Sequence, residues 1–184
     1  MTIKNDMEFL VRSEVERRRD RAGKARERDV CWCPLCEMDI FALALNQLPP
    51  RYCHERNFGC AASQGFGEDV RAAVGRAIEK VSRRPKHRPG KPLSDADDIR
   101  MENYAQKIGT SLVGAVLSPE SSACACTQCQ ADTLAYALNR YQPKYGVSYG
   151  GRESYQANYE DFIRHDIGQA LAQAMAVIRE RPHH

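Results

Sequence analysis

Long apolar runs are missing from this chain of 184 residues. No stretch approaches the roughly 18 consecutive apolar residues that a membrane-spanning helix needs, which excludes that class. The opening Met1-Thr2-Ile3-Lys4-Asn5-Asp6 is charged and no apolar segment follows it, so a secretory leader is not expected and the expected location is the cytoplasm. Charge of one sign is scarce as well. The 27 Lys+Arg are nearly balanced by 24 Asp+Glu, and the net +3 does not by itself imply a nucleic-acid partner. The sequence also lacks HExxH, a P-loop and GxSxG, and it shows neither an open metal position nor a nucleophile beside a base. A non-enzymatic protein is the expectation.

Cysteine is what the chain has in quantity. Eight Cys in a chain of this size, in a reducing compartment, point to metal ligation rather than disulfides. The length suits one domain or two small ones, with room for a proper core. Residues 1–100 carry 20 basic and 16 acidic groups, and residues 101–184 carry 7 and 8. Most of that early surplus is Lys80, Arg83, Arg84, Lys86, Arg88 and Lys91, interrupted by Pro85, Pro89, Gly90 and Pro92. Proline fixes φ and restricts the residue before it, so no helix runs through this stretch. The expected organisation is a first module at 1–88, a Pro/Gly/basic linker at 89–99 and a second module at 100–184.

The two modules are copies. Residues 31–52 read CWCPLCEMDIFALALNQLPPRY, residues 124–145 read CACTQCQADTLAYALNRYQPKY, and ten of the 22 positions are identical. Shared are the three cysteines of each segment, Asp39/Asp132, Ala42/Ala135, Ala44/Ala137, Leu45/Leu138, Asn46/Asn139, Pro50/Pro143 and Tyr52/Tyr145. Upstream, Asn5, Leu10, Ser13 and Val15 match Asn103, Ile108, Ser111 and Val113 in register. Downstream, Asp69/Asp166 open similar helices that end in Arg84-Pro85-Lys86-His87 and Arg181-Pro182-His183-His184.

Each copy reads as three helices. Val70, Ala73, Val74, Ala77, Ile78 and Val81 follow helical spacing, as do Ile167, Ala170, Leu171, Ala174, Met175 and Ile178. The middle helices, about Glu37 to Leu48 and Gln130 to Tyr141, are apolar almost all round and should be central. Among the first helices, Tyr104, Ile108, Leu112, Ala115 and Val116 make a stripe, whereas Glu14 to Arg28 is so charged that only its root is expected to pack. Short strands are expected within Arg51 to Gly65 and Lys144 to Gly151. A helical unit with one face to spare is half of a dimer, so the fused copies should pack about a pseudo-twofold axis within a monomeric chain.

Three thiolates within six residues can hold one soft cation at about 2.3 Å each, and a nearby helix N-terminus favours the thiolate form. Two structural zinc ions are the expected cofactors. Structural zinc takes four ligands, so each triplet lacks one. The residues that repeat in the right place are His87 and His184, which gives Cys31, Cys33, Cys36 with His87, and Cys124, Cys126, Cys129 with His184. Cys53, His54 and Cys60 are alternatives in the first copy. They have no repeat, since Gly146 and Val147 replace the first two and no cysteine follows Cys129.

The pattern Cys-x-Cys-x-x-Cys leading into Asp and then Ala-Leu-Asn-x-x-Pro-Pro-x-Tyr resembles the late competence development family, ComFB, and both copies match it, with Gln142 at the first proline position of the second. The resemblance implies a mainly α fold of two repeated three-helix modules, structural zinc and a regulatory role. Some members of that family are cyclic dinucleotide receptors, so cyclic di-GMP or cyclic di-AMP is an expected partner. A twofold-symmetric ligand would suit duplicated Arg51/Lys144 for charge and Tyr52/Tyr145 for stacking, although these tyrosines also read as core. The alternative is a zinc-stabilised adaptor for a regulatory protein partner or single-stranded nucleic acid, using Arg17-Arg18-Arg19 and the linker; strong salt dependence would single it out.

Overall fold

The computed structural model describes residues 3–25, 30–54, 65–88, 98–117, 124–150 and 157–180. The first module runs β1 (Ile3–Asn5), α1 (Met7–Ala25), α2 (Pro34–Leu45), β2 (Tyr52–His54) and α3 (Gly67–Arg83). The second repeats that order as β3 (Arg100–Asn103), α4 (Tyr104–Val116), α5 (Thr127–Leu138), β4 (Tyr145–Ser148) and α6 (Ala157–Glu180). Of the linker expected at 89–99, residues 89–97 lie outside the described residues. Among the described residues, no helix is long and apolar enough to cross a membrane.

Local chemistry accounts for the middle helices. Pro34 opens α2 at its first position, where a missing N–H costs nothing, and Pro49-Pro50 prevents its continuation. Both α2 and α5 begin three residues earlier than their apolar runs suggested, because Cys33 and Cys126 serve as extended N-caps. The cysteine triplets are thereby built into the start of each helix. Apolar on nearly every side, α2 buries Leu35, Ile40, Phe41 and Leu45 between α1 and α3. Burying each such side chain contributes about 1.5–3 kcal/mol.

Three helical expectations need correction. α1 packs beyond its root: Met7, Val11, Val15 and Ala22 are all buried along it. The nearly buried Glu14 on that helix accepts hydrogen bonds from both Arg17 and Arg18, so neighbouring cations satisfy the carboxylate and α1 can seat. α6 starts at Ala157, well before Asp166. In α4 the buried stripe is Tyr104, Ala105, Ile108, Gly109 and Val113, with Ala115 exposed. A Cβ at Gly109 would stand 2.7 Å from a Leu134 methyl, so the close approach of α4 to α5 at this point requires glycine.

Two ribbons join the modules. β1 pairs antiparallel with β2, Lys4 opposite Cys53, and β3 with β4, Met101 opposite Val147. β2 and β4 fall within the segments where strands were expected, whereas β1 and β3 precede the first helices unannounced. Each ribbon packs on the other module's middle helix, β2 against α5 and β4 against α2. Tyr145 and Val147 consequently belong to the first core with Leu35, Ile40 and Val74, while Ile3 and Tyr52 belong to the second with Leu134, Leu138 and Ile167. The tandem copies form an intrachain pseudo-dimer by exchanging these elements.

The exchange is held by one residue type used twice. Asn46, at the end of α2, accepts the Tyr145 N–H at 2.7 Å through Oδ1 and donates through Nδ2 to the Tyr145 carbonyl at 2.9 Å. Asn139, at the end of α5, does the same to Tyr52, at 2.6 and 2.8 Å. Each carboxamide imitates a strand neighbour and satisfies a backbone N–H and C=O that would otherwise be stranded at the module junction. Each asparagine caps its own helix through its backbone N–H, while its side chain serves the opposite module.

Candidate metal centres

In the first module Cys31, Cys33, Cys36 and His87 each offer a ligand atom, and all four atoms lie within 4.8 Å of one another. That spacing lets the four donors close on one ion at the usual Zn–S and Zn–N lengths of about 2.3 and 2.0 Å. Cys33 and Cys36 come from the first turn of α2, and His87 from the segment after α3. The histidine is prepared for this. Its Nδ1 lies 2.9 Å from the Arg88 carbonyl, which can only accept, so Nδ1 carries the proton and Nε2 keeps a lone pair. Nε2 is buried and meets no hydrogen-bond partner among the described residues. An ion among the thiolates is the partner this atom lacks.

The segment that carries His87 is tied to α2. Lys86 donates to Asp39 at 2.6 Å, and Asp39 is only 4% exposed, one turn beyond Cys36. The hydroxyl of Tyr149, reaching over from the second module, donates to the Lys86 carbonyl at 3.3 Å. Burial raises the carboxyl pKa of Asp39, and the Lys86 bond opposes that rise. Asp39 therefore secures the third helix's exit rather than the first turn of α2.

In the second module Cys124, Cys126 and Cys129 also converge within 4.8 Å, but Cys124 and Cys126 are exposed. Cys126 Sγ accepts the Cys129 N–H at 3.5 Å. That bond lowers the Cys126 pKa, while burial and then the neighbouring thiols push Cys129 up to about 12. Burial, followed by Cys33 and Cys31, likewise raises Cys36. Packed thiols resist ionising together unless a cation compensates them. His184, expected to close this cluster, lies outside the described residues. Both clusters can hold a metal ion.

The alternative ligands lie elsewhere. Cys53 and His54 sit on β2, outside both clusters, and Cys60 falls outside the described residues. The proposed stacking platforms also need correction: Tyr52 is 4% exposed and Tyr145 3%, because each ring is sunk into the opposite module. Asn103 donates to the Tyr52 hydroxyl, and the Tyr145 hydroxyl accepts from Asn5 at 3.0 Å and donates to Glu8 at 2.7 Å. Burial pushes the Tyr52 phenol up to about 12 and raises Tyr145 further. Neither ring offers a face to a ligand. Arg51 is exposed with its guanidinium 4.7 Å from the centre of the Phe66 ring, and Lys144 is half-buried.

Fold and site together define a class: a mainly helical, internally duplicated protein whose halves exchange strands and each present a metal-competent cysteine cluster. The model of the late competence development protein ComFB family matches residues 4–85 and again 101–182. The chain belongs to that regulatory family, with two of its modules in tandem. No curated protein and no solved structure matches it.

Proposed function

We propose that this is a cytosolic, non-enzymatic regulatory protein in which two structural zinc ions stiffen a pseudo-twofold receptor for a cyclic dinucleotide. Zinc suits the donor set, since three thiolates and an imidazole are a closed tetrahedral complement for a borderline-soft ion. His184 would complete the second site as His87 completes the first.

The observation that carries the receptor reading is a groove of about 320 Å³ where the modules meet. Lys80, Arg84 and Lys86 stand along it beside Asn46, Gly146 and Val147. Lys80 and Arg84 make no ion pair among the described residues. Two cations near a third suit phosphodiester oxygens. The volume lies at the lower end of the roughly 300–1,000 Å³ typical of ligand pockets, so it would seat one phosphate-bearing half of such a ligand and leave the other on the junction surface.

Calorimetric titration of the zinc-loaded chain with cyclic di-GMP and cyclic di-AMP tests this. Saturable heat with either, lost in a Lys80→Glu/Arg84→Glu variant, is the expected result. Absence of heat with both at micromolar protein would overturn the receptor reading in favour of an adaptor for a protein partner, which the 71% exposure of Phe162 on α6 also favours.

A further inference from the structure

A second cleft, of about 360 Å³, lies between α1 and the start of α2. Trp32, Met38 and Phe41 contribute its apolar walls, and Arg12, Arg19 and Glu37 its rim. The rim charges do not cancel. Arg19 gives Glu37 two hydrogen bonds of 3.0 Å, forming a neutral pair. Arg12 makes no ion pair among the described residues, its guanidinium lying 5.1 Å from the centre of the Phe41 ring. Glu8, one turn earlier on α1, takes the Tyr145 hydroxyl and feels the Arg12 charge without forming an ion pair with it. The Arg12 guanidinium thus stands over an aromatic wall with its N–H donors making no hydrogen bond among the described residues. In addition, the buried indole N–H of Trp32 meets no acceptor among the described residues.

The duplication supplies a control for what the fold alone requires. In register, Arg12, Arg19, Trp32, Met38 and Phe41 correspond to Thr110, Leu117, Ala125, Ala131 and Leu134 of the second module. Leu117 is 2% exposed and Leu134 0%, both inside the second core. Three of these positions are thus buried aliphatic packing in one copy, with Thr110 and Ala125 exposed, whereas all five line a cleft with aromatics, a thioether and guanidinium groups in the other. Packing does not account for the difference, since the aliphatic solution serves the same helices.

We propose that this cleft is a binding site for a planar aromatic monocarboxylate of one or two rings. The walls offer ring faces and edges and a polarisable thioether to a flat apolar body, Arg12 offers its charge and paired donors to one carboxylate, and the volume admits a small acid whole. The site is distinct from the junction groove and does not depend on what binds there.

Trp32 is the only tryptophan in the chain, so its emission reports the cleft directly. The full chain in the presence of Zn²⁺ is titrated with 4-hydroxyphenylacetate and benzoate, with 4-hydroxyphenylacetamide and benzamide as neutral counterparts, and ligand-observed NMR confirms occupancy. Saturable changes with the acids are expected, with the amides about tenfold weaker, corresponding to the roughly 1.4 kcal/mol of one charge-assisted contact. Arg12→Gln should remove the preference for acid over amide, which a general loss of folding cannot mimic. Arg140→Gln, a change on the second module, should retain it. The proposal falls if neither acid binds at millimolar concentration, or if wild type and Arg12→Gln bind acids and amides alike.

Discussion

The two cysteine clusters start from the same spacing and end in different surroundings. In the first, Cys36 is buried, His87 turns a lone pair inward, and the Lys86–Asp39 pair fastens the histidine's segment to the helix that carries the cysteines. In the second, two of three cysteines are exposed, Lys86 is replaced by His183, and Asp132 receives Gln128 from its own helix instead. What the copies share builds the fold and the exchange of strands. What they do not share, chiefly Trp32, Arg12, Arg19 and Lys86, has been free to build sites on one half.

The comparison can be broken most severely at the metal. Chelation should remove two ions in sequence, the second module's first because its thiols face solvent. Each loss should destabilise the chain by several kcal/mol, at roughly 2–4 °C of melting midpoint per kcal/mol for this size. Competition with a chromophoric chelator in wild type, Cys36→Ala and Cys129→Ala assigns each step; release from the first module before the second would reverse the ranking.

Asn46→Ala and Asn139→Ala probe what the halves have in common. Each removes two hydrogen bonds across the junction and should cost about 2–4 kcal/mol, a midpoint fall of roughly 4–16 °C, by nearly equal amounts in chemical denaturation. A large inequality would mean that one ribbon carries the junction alone.

Asp39→Asn and Asp132→Asn sharpen the difference. The first should weaken one ion about 10–100-fold, the range for groups that orient a metal ligand from outside, and the second should leave both affinities unchanged. Cobalt substitution gives the readout: loss of the His87 bond alters the ligand-field bands in Asp39→Asn, and an unaltered spectrum would remove Asp39 from any role at the metal.

The smallest effect is expected at Glu8, whose register partner is Gln106. Burial raises the Glu8 pKa, against the Tyr145 bond and the nearby Arg12 and Lys4. The folded chain therefore takes up a proton more readily than the unfolded one, so this residue's contribution to stability is greatest at acid pH and declines as pH rises past its unfolded value. Glu8→Gln, which makes the first copy resemble the second, should flatten that decline in denaturation curves taken across the acid range. An unchanged slope would assign the pH dependence elsewhere.

Much of this architecture is legible in the residues alone, because repetition and helical spacing are properties of one strand of text. The duplication, the two cysteine triplets and a histidine placed to meet the first of them can all be read there. The partners of Asn46 and Asn139 cannot, because they lie 99 and 87 positions away and nothing local marks a side chain that crosses between modules. β1 and β3, of three and four residues, are too short to show a period. Tyr52 and Tyr145 look like platforms beside Arg51 and Lys144 until the exchange of ribbons puts each ring under the opposite module. The cleft beneath Trp32 becomes visible only once the second copy is seen to fill the same space with Leu117 and Leu134.

That exchange also bears on how the chain is made. When the ribosome has finished the first half, Tyr145 and Val147 have yet to be synthesised, and the nascent α2 waits with a bare flank and an asparagine that has nothing to hold. The earlier half can complete itself only after the later one emerges, so the two reach the native state together rather than one after the other.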